Sequence, residues 1–310
     1  MQDNKPNPDQ ASLAAELVTL RDYLRLAVSR FTAAGLSYGH GTTTALDDAA
    51  FLLLEALSVP VDKLDPFLDA RLTLPERLRL LALIEERIST RKPSAYLLGR
   101  TYLAGIPFHV DERAIIPRSF IAELLFSDLL DGDGGLIEDP TAVASVLDLC
   151  TGSGSIAILA AEVFANAEIH AVDLSAAALE LARRNIAERG AGGRIVLFEG
   201  DLFDPVGRRR YDLILTNPPY VDEKAMAGLP PEHRHEPAMA LAGGRDGLDL
   251  VRRILAGAPR HLTRRGALMC EIGSGRRILE EAFPRLPFLW LDTQESKGEV
   301  FWLRKEDFRS

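Results

Sequence analysis

The stretch Asp148-Leu149-Cys150-Thr151-Gly152-Ser153-Gly154-Ser155-Ile156-Ala157 narrows the possible folds more than any other part of the chain. A short β-prone run over residues 144–149 ends in a Gly-x-Gly-x-x-Ala turn and passes directly into a helix-like segment over 156–163. Glycines at such a strand-to-helix turn let the backbone bend sharply and come close to a ligand, which is how open, helix-covered parallel sheets begin. Further strand-like runs at 168–172, 194–198, 211–215 and 267–272 follow, with helix-like or connecting segments between the first four. That alternation predicts an α/β fold with a mostly parallel sheet. Two late runs, 288–292 and 298–303, leave no room for a helix between them and are expected to pair antiparallel at one edge.

The first third of the chain has a different pattern. Leu13, Leu17, Leu20, Leu24, Val28 and Phe31 recur at helical spacing and predict one helix over 12–31. A second helix is expected to open near Thr44, and a third at Thr73-Leu74-Pro75-Glu76, a capping-box pattern with proline in the first turn. The predicted organisation is a disordered tail over residues 1–10, a helical domain over 11–92, a β-hairpin linker over 93–117 and a main domain over 118–310. Residues 131–135 read as a flexible connector. With 310 residues, 47% hydrophobic and 26% charged, the composition is that of a globular protein, and charged residues interrupt every long apolar run, which argues against a membrane span. Two cysteines, Cys150 and Cys270, both fall in expected strands and read as small core residues suited to a reducing cytoplasm rather than a disulfide framework or metal site. The net charge of −9 and pI near 5.3 tilt against direct nucleic-acid binding and towards a basic protein partner.

Chemistry-bearing residues fall at the expected strand ends. Asp173, about twenty residues past the glycine turn, is placed to accept from ribose hydroxyls. Taken with the glycines it fits a dinucleotide or an adenosyl group. Asp148 would oppose a diphosphate but attract a cation, while Asp201 offers an acceptor for an adenine amine beside the apolar Leu202 and Phe203. Three carboxylates without a phosphate-binding base suit a sulfonium cofactor. At the end of the run 211–215, Thr216-Asn217-Pro218-Pro219-Tyr220 forms a stiff turn. Its prolines have no N–H, Asn217 supplies a side-chain acceptor and Tyr220 a flat ring, a cradle suited to a planar NH2 group.

In this order, the turn from Asp148 to Gly154, Asp173, Asp201 and Asn217-Pro218-Pro219-Tyr220 resemble the class I S-adenosylmethionine-dependent methyltransferases, a Rossmann-like fold with a mostly parallel seven-stranded sheet. Asn-Pro-Pro-Tyr is the form shared by adenine-amine DNA methyltransferases and the HemK-type enzymes that methylate the side-chain amide of a protein glutamine. The helical domain, the hairpin, Ile116-Pro117-Arg118, Glu236-Pro237 and Gly243-Gly244-Arg245-Asp246-Gly247-Leu248 are similar to the HemK group. Pro117-Arg118-Ser119 and Arg234-His235-Glu236-Pro237 look like its PrmB branch, whose substrate is the third protein of the large ribosomal subunit. The sister branch, acting on release factors, has Pro-Arg-Pro followed by Thr-Glu, from which Ser119 and the residues after it depart.

The resemblance implies S-adenosyl-L-methionine as cofactor, held by Asp148, Thr151, Gly152, Gly154, Asp173, Leu174, Asp201, Leu202 and Asn217. It implies Asn217, Pro218 and Tyr220 as catalytic residues, substrate contacts at Asn217, Pro218, Pro219, Tyr220, Arg118 and Glu236, and no metal. His235 and Glu236 read as loop-ordering or substrate-contact residues rather than catalysts. The expected activity is cytoplasmic methylation of a glutamine in a large-subunit ribosomal protein. Its alternatives are the same chemistry on the Gly-Gly-Gln glutamine of release factors, an adenine-amine DNA methyltransferase, a nicotinamide-dependent oxidoreductase and a non-catalytic adenosyl-binding module. Aromatic content of 7% counts against base recognition, and a dehydrogenase leaves Asn217 to Tyr220 unexplained.

Overall fold

The protein, seen in a computed structural model, is described over residues 8–131, 134–294 and 296–309. Of the expected tail, residues 1–7 lie outside that description, as do 132 and 133 of the expected connector. From Pro8 the chain is helical rather than a tail. Two compact units form: the described residues up to Arg100 together with Pro230–His235, and Thr101–Leu229 with everything from Glu236 onward.

The first unit holds α1 (Pro8–Glu16), α2 (Leu20–Ala33), α3 (Ala45–Ala56), α4 (Leu74–Thr90) and α5 (Ser94–Leu98). The single helix predicted over 12–31 is therefore two. The Asp22 carboxylate accepts from the Val18 N–H at 3.0 Å and from the Thr19 N–H and hydroxyl, both at 2.8 Å, so a fresh capping box starts α2 at Leu20. The apolar spacing runs on through the break because Ala14, Leu20, Leu24 and Phe31 all face one core with Leu52, Leu53, Leu80 and Ile84. Thr44 and Thr73 cap α3 and α4 as expected. The segment Pro230–His235 is part of this core unit through Glu232, whose buried carboxylate accepts from the Ser37 N–H at 3.0 Å and from Arg91 at 2.8 Å. His235 Nε2 donates to the Thr90 carbonyl at 3.0 Å.

The second unit opens on the hairpin β1 (Arg100–Leu103) and β2 (Ile106–His109), then α6 (Phe120–Leu125) and α7 (Asp128–Asp131). Seven further strands follow: β3 (Ser145–Leu149), β4 (Glu168–Asp173), β5 (Ile195–Glu199), β6 (Tyr211–Thr216), β7 (Leu262–Glu271), β8 (Leu289–Asp292) and β9 (Lys297–Arg304). They form one sheet in the order β5-β4-β3-β6-β7-β9-β8, parallel as far as β7, with β9 antiparallel to both its neighbours. The remaining helices are α8 (Ser155–Val163), α9 (Ala176–Glu188), α10 (Glu223–Ala227), α11 (Asp249–His261) and α12 (Arg276–Ala282). Alternate strand residues face opposite layers. Val146, Ile169, Leu213 and Met269 pack with Ile156 to Ala161 of α8, whereas Leu147, Val172, Ile214 and Leu268 pack with Val251, Ile254 and Leu255 of α11. Burial on both faces explains why these strands read as mainly apolar runs, with few polar interruptions such as Asp148 and His170. The strand order reverses between β3 and β6, which carry the glycine turn and the Asn-Pro-Pro-Tyr turn at their carboxyl ends, where ligands bind in such sheets. Among the described residues no helix is long and apolar enough to cross a membrane.

Candidate active site

The turn after β3 is tight. Cys150 (φ 58°) and Gly152 (φ 55°) are left-handed, and the Thr151 N–H donates to the Val172 carbonyl of β4 at 3.0 Å. Cys150 is thus a half-buried turn residue on the wall of the site, not the core strand residue its composition suggested; Cys270, in β7, is core. Asp148 is wholly buried, and its Oδ2 accepts from the Thr151 hydroxyl at 2.5 Å and the Ala157 N–H at 3.1 Å. Its Oδ1 has no hydrogen-bond partner. Burial pushes the carboxyl up to about 7, against the pull of the Thr151 and Ala157 donors. An unpartnered buried oxygen of this kind calls for a donor from outside the chain, an ordered water or a ligand. Thr151 acts by holding Asp148, and Gly154 allows close packing, since a Cβ there would stand 3.1 Å from that of Ala182 on α9.

Asp173 ends β4. Its Oδ2 accepts from the Gly152 N–H and its Oδ1 from the Ser175 N–H, both at 2.8 Å, which fixes the carboxylate beside the glycine turn. Burial raises its pKa, the Ser175, Gly152 and Leu174 backbone donors opposing the shift. Asp173, Leu174, Asp201 and Leu202 all line one cavity with Cys150 and Gly152. Leu174 is 60% exposed, an apolar face open to a ring. Leu202 is held at φ 48°, a costly conformation for a branched residue and one that clusters at ligand sites. Asp201 gives one oxygen to Arg253 of α11 at 2.7 Å. The expectation of a pocket without a basic group is corrected by Arg113, which lines it. Its guanidinium is committed to Asp111 at 2.8 and 2.7 Å and to Glu180 at 3.3 Å.

Asn217 and Pro219 line that same cavity, so the cofactor turn and the cradle open on one space. The cradle is backed by the loop after a short 3-10 turn, Ala238–Ala240: the Val221 N–H donates to the Leu241 carbonyl at 2.9 Å, and the Gly243 N–H to the Val221 carbonyl at 2.8 Å. Gly243 sits so close that a Cβ there would lie 2.7 Å from Tyr220 Cα and 2.8 Å from the Pro219 oxygen. Pro218 is buried and Tyr220 half-buried, its hydroxyl donating to Glu271 Oε1 at 3.1 Å. Arg118 and Glu236, expected at the substrate, pair with each other: two hydrogen bonds of 2.5 and 2.7 Å join them, and Glu236 also accepts from the Ile116 N–H at 3.1 Å. Sequence reasoning missed Ile115, Met239, Ala240 and Leu250 in the wall, ordinary apolar residues that carry no signal. It also missed Glu271, for which a signal existed: a lone acid closing the apolar run Ala267 to Cys270.

A sheet of this order, with a glycine turn, the Asp173 carboxylate and part of the cradle on one cavity, defines a class I S-adenosylmethionine-dependent methyltransferase. The Asp173, Leu174 and Leu202 wall fits that cofactor's adenosyl part, while Asp148, Thr151 and Gly154 lie behind the wall rather than on it, Asp148 with one oxygen unpartnered. The methyltransferase small domain family matches residues 135–229. A ribosomal protein uL3 glutamine methyltransferase of Bradyrhizobium diazoefficiens is 58% identical over 94% of this chain and 92% of its own. Its counterparts from Bordetella pertussis and Neisseria gonorrhoeae are 51% and 48% identical, over 95% and 94% of this chain and 98% and 96% of theirs. Among solved structures, a methyltransferase from Pyrococcus furiosus aligns at 18% identity and a TM-score of 0.45, over 75% of this chain and 99% of that one. The chain belongs to the family of ribosomal protein uL3 glutamine methyltransferases.

Proposed function

We propose that the chain methylates the side-chain amide nitrogen of a glutamine in ribosomal protein uL3, in the cytoplasm, with the helical unit recognising the substrate protein. One observation carries the reading: Asn217 and Pro219 share a cavity with Gly152, Asp173 and Leu202. The relatives' own names support the choice of substrate. S-adenosylmethionine, when bound, supplies an electrophilic methyl on sulfonium. An amide nitrogen is a poor nucleophile because its lone pair is delocalised, so the protein must supply geometry and charge. The Asn217 side-chain oxygen and the Pro218 carbonyl accept the two amide hydrogens, aim the nitrogen, and stabilise positive charge as it develops there. The new N–C bond forms as the C–S bond breaks, and the nitrogen's surplus proton leaves to water, so no strong base is required. Incubation with labelled S-adenosylmethionine, purified uL3 and purified release factor, followed by mass spectrometry, tests the reading. Label is expected on a uL3 glutamine; label on the release factor alone overturns it.

A further inference from the structure

Glu271 is the last residue of β7, wholly buried, and the reading of the cradle leaves it without a task. A buried carboxylate is costly unless donors converge on it. Three do, all neutral: the Ser119 hydroxyl at 2.7 Å and the Phe120 N–H at 2.9 Å on Oε2, and the Tyr220 hydroxyl at 3.1 Å on Oε1. Two of them belong to elements with functional weight. Ser119 caps α6 by accepting from the Ile121 N–H at 3.2 Å, and Tyr220 closes the Asn-Pro-Pro-Tyr turn.

The Tyr220 ring is also gripped from a second side. Gly273, two residues beyond Glu271, is so close that a Cβ there would lie 2.8 Å from Cδ2 and Cε2 of the ring. With its hydroxyl donated to Glu271, and burial pushing the phenol far up, Tyr220 is no proton carrier; its ring is a fixed wall. We propose, resting on the cradle reading above, that Glu271 is the positioning residue of methyl transfer: it takes the Tyr220 and Ser119 hydroxyls together, and so locks the aromatic end of the cradle to the start of α6.

Burial pushes Glu271 up to about 7, against the Ser119, Phe120 and Tyr220 donors. Besides Tyr220, the charged groups that bear on this pair are Glu299 and Arg118. A protonated Glu271 would donate its proton to one of the two hydroxyl oxygens, turning that hydroxyl from donor to acceptor.

The test measures kcat, KM for uL3 and S-adenosylmethionine affinity in Glu271→Gln, Tyr220→Phe and the double variant, with Asn217→Ala alongside. Each single variant is expected to lose roughly ten- to hundredfold in kcat, as for a slightly misplaced reacting group, with cofactor affinity unchanged. The double variant is expected to lose no more than Glu271→Gln alone, because Tyr220→Phe removes an interaction that Glu271→Gln has already disturbed. Wild-type kcat in Tyr220→Phe, or additive losses in the double variant, overturns the proposal. If Glu271→Gln does not fold, Tyr220→Phe alone decides in the same way. Full activity in Asn217→Ala sinks the cradle reading itself, whereas an inactive Asn217→Ala beside active Glu271→Gln and Tyr220→Phe sinks only this proposal.

Discussion

Asp148 shows how one side chain can report on ligand binding. Its carboxyl has a pKa of about 7 in the fold against an ordinary 3.8, so between those values the native state holds a proton that the unfolded chain has lost. Native stability without cofactor should therefore fall as pH rises through that window, and Asp148→Asn should flatten part of the slope in thermal melts taken from pH 5.5 to 8. A cationic cofactor favours the ionised form, so its affinity should rise with pH up to about 7 and then level off; titration calorimetry showing a flat profile would argue against a charged partner for Oδ1. If Asp173 accepts from the ribose hydroxyls, Asp173→Ala should weaken cofactor binding by a factor of roughly ten to a hundred, and an unchanged affinity in titration calorimetry would place the ribose elsewhere. Asn217→Ala should behave differently, keeping the fold and cofactor affinity while single-turnover methylation slows by roughly a hundredfold, as when one aligned polar group is lost. A parallel drop in melting temperature and affinity would mark Asn217 as a turn residue only.

Among the elements, the loop behind the cradle makes the most direct prediction. Gly243→Ala forces a methyl against Tyr220 Cα and the Gly247 and Pro219 carbonyls, all backbone, so the cradle itself must move. Turnover should fall by at least roughly tenfold with cofactor affinity preserved, which steady-state kinetics and calorimetry on one variant would establish. The strands from β3 to β6 were legible to within a residue, because β3, β4 and β6 are buried on both faces and so mainly apolar, while the edge strand β5, though partly exposed, keeps the apolar stretch Ile195 to Phe198. The gap between α1 and α2 was hidden by a periodicity that serves both helices, since they share one core. The positions of Asp173, Asp201 and Asn217 could be read because each follows an apolar run, directly for Asp173, after Thr216 for Asn217 and after Glu199-Gly200 for Asp201. The left-handed turn at Cys150 could not, as a positive φ at a non-glycine residue depends on the contacts around it. Arg118 and Glu236 were recognised as special from their neighbours, but only the fold reveals that they are each other's partners.

At the scale of the molecule, the helical unit has a core of its own and borrows Pro230–His235 from far along the chain. Glu232→Ala would leave the Ser37 N–H unpaired and take the carboxylate from Arg91, whose Nη1 would keep only the Gly35 carbonyl at 3.2 Å, a loss on the order of 1 to 3 kcal/mol. A thermal melt should register it, with S-adenosylmethionine affinity unchanged; an unaltered melt would show that the segment is dispensable to the unit. The chain passes from one unit to the other at Arg100, again at Leu229, and back at His235. A gene fragment ending at Arg100 therefore lacks the Pro230–His235 part of the helical unit, and a single exchange there between relatives would set Ser37 and Arg91 of one parent against the Glu232 segment of the other.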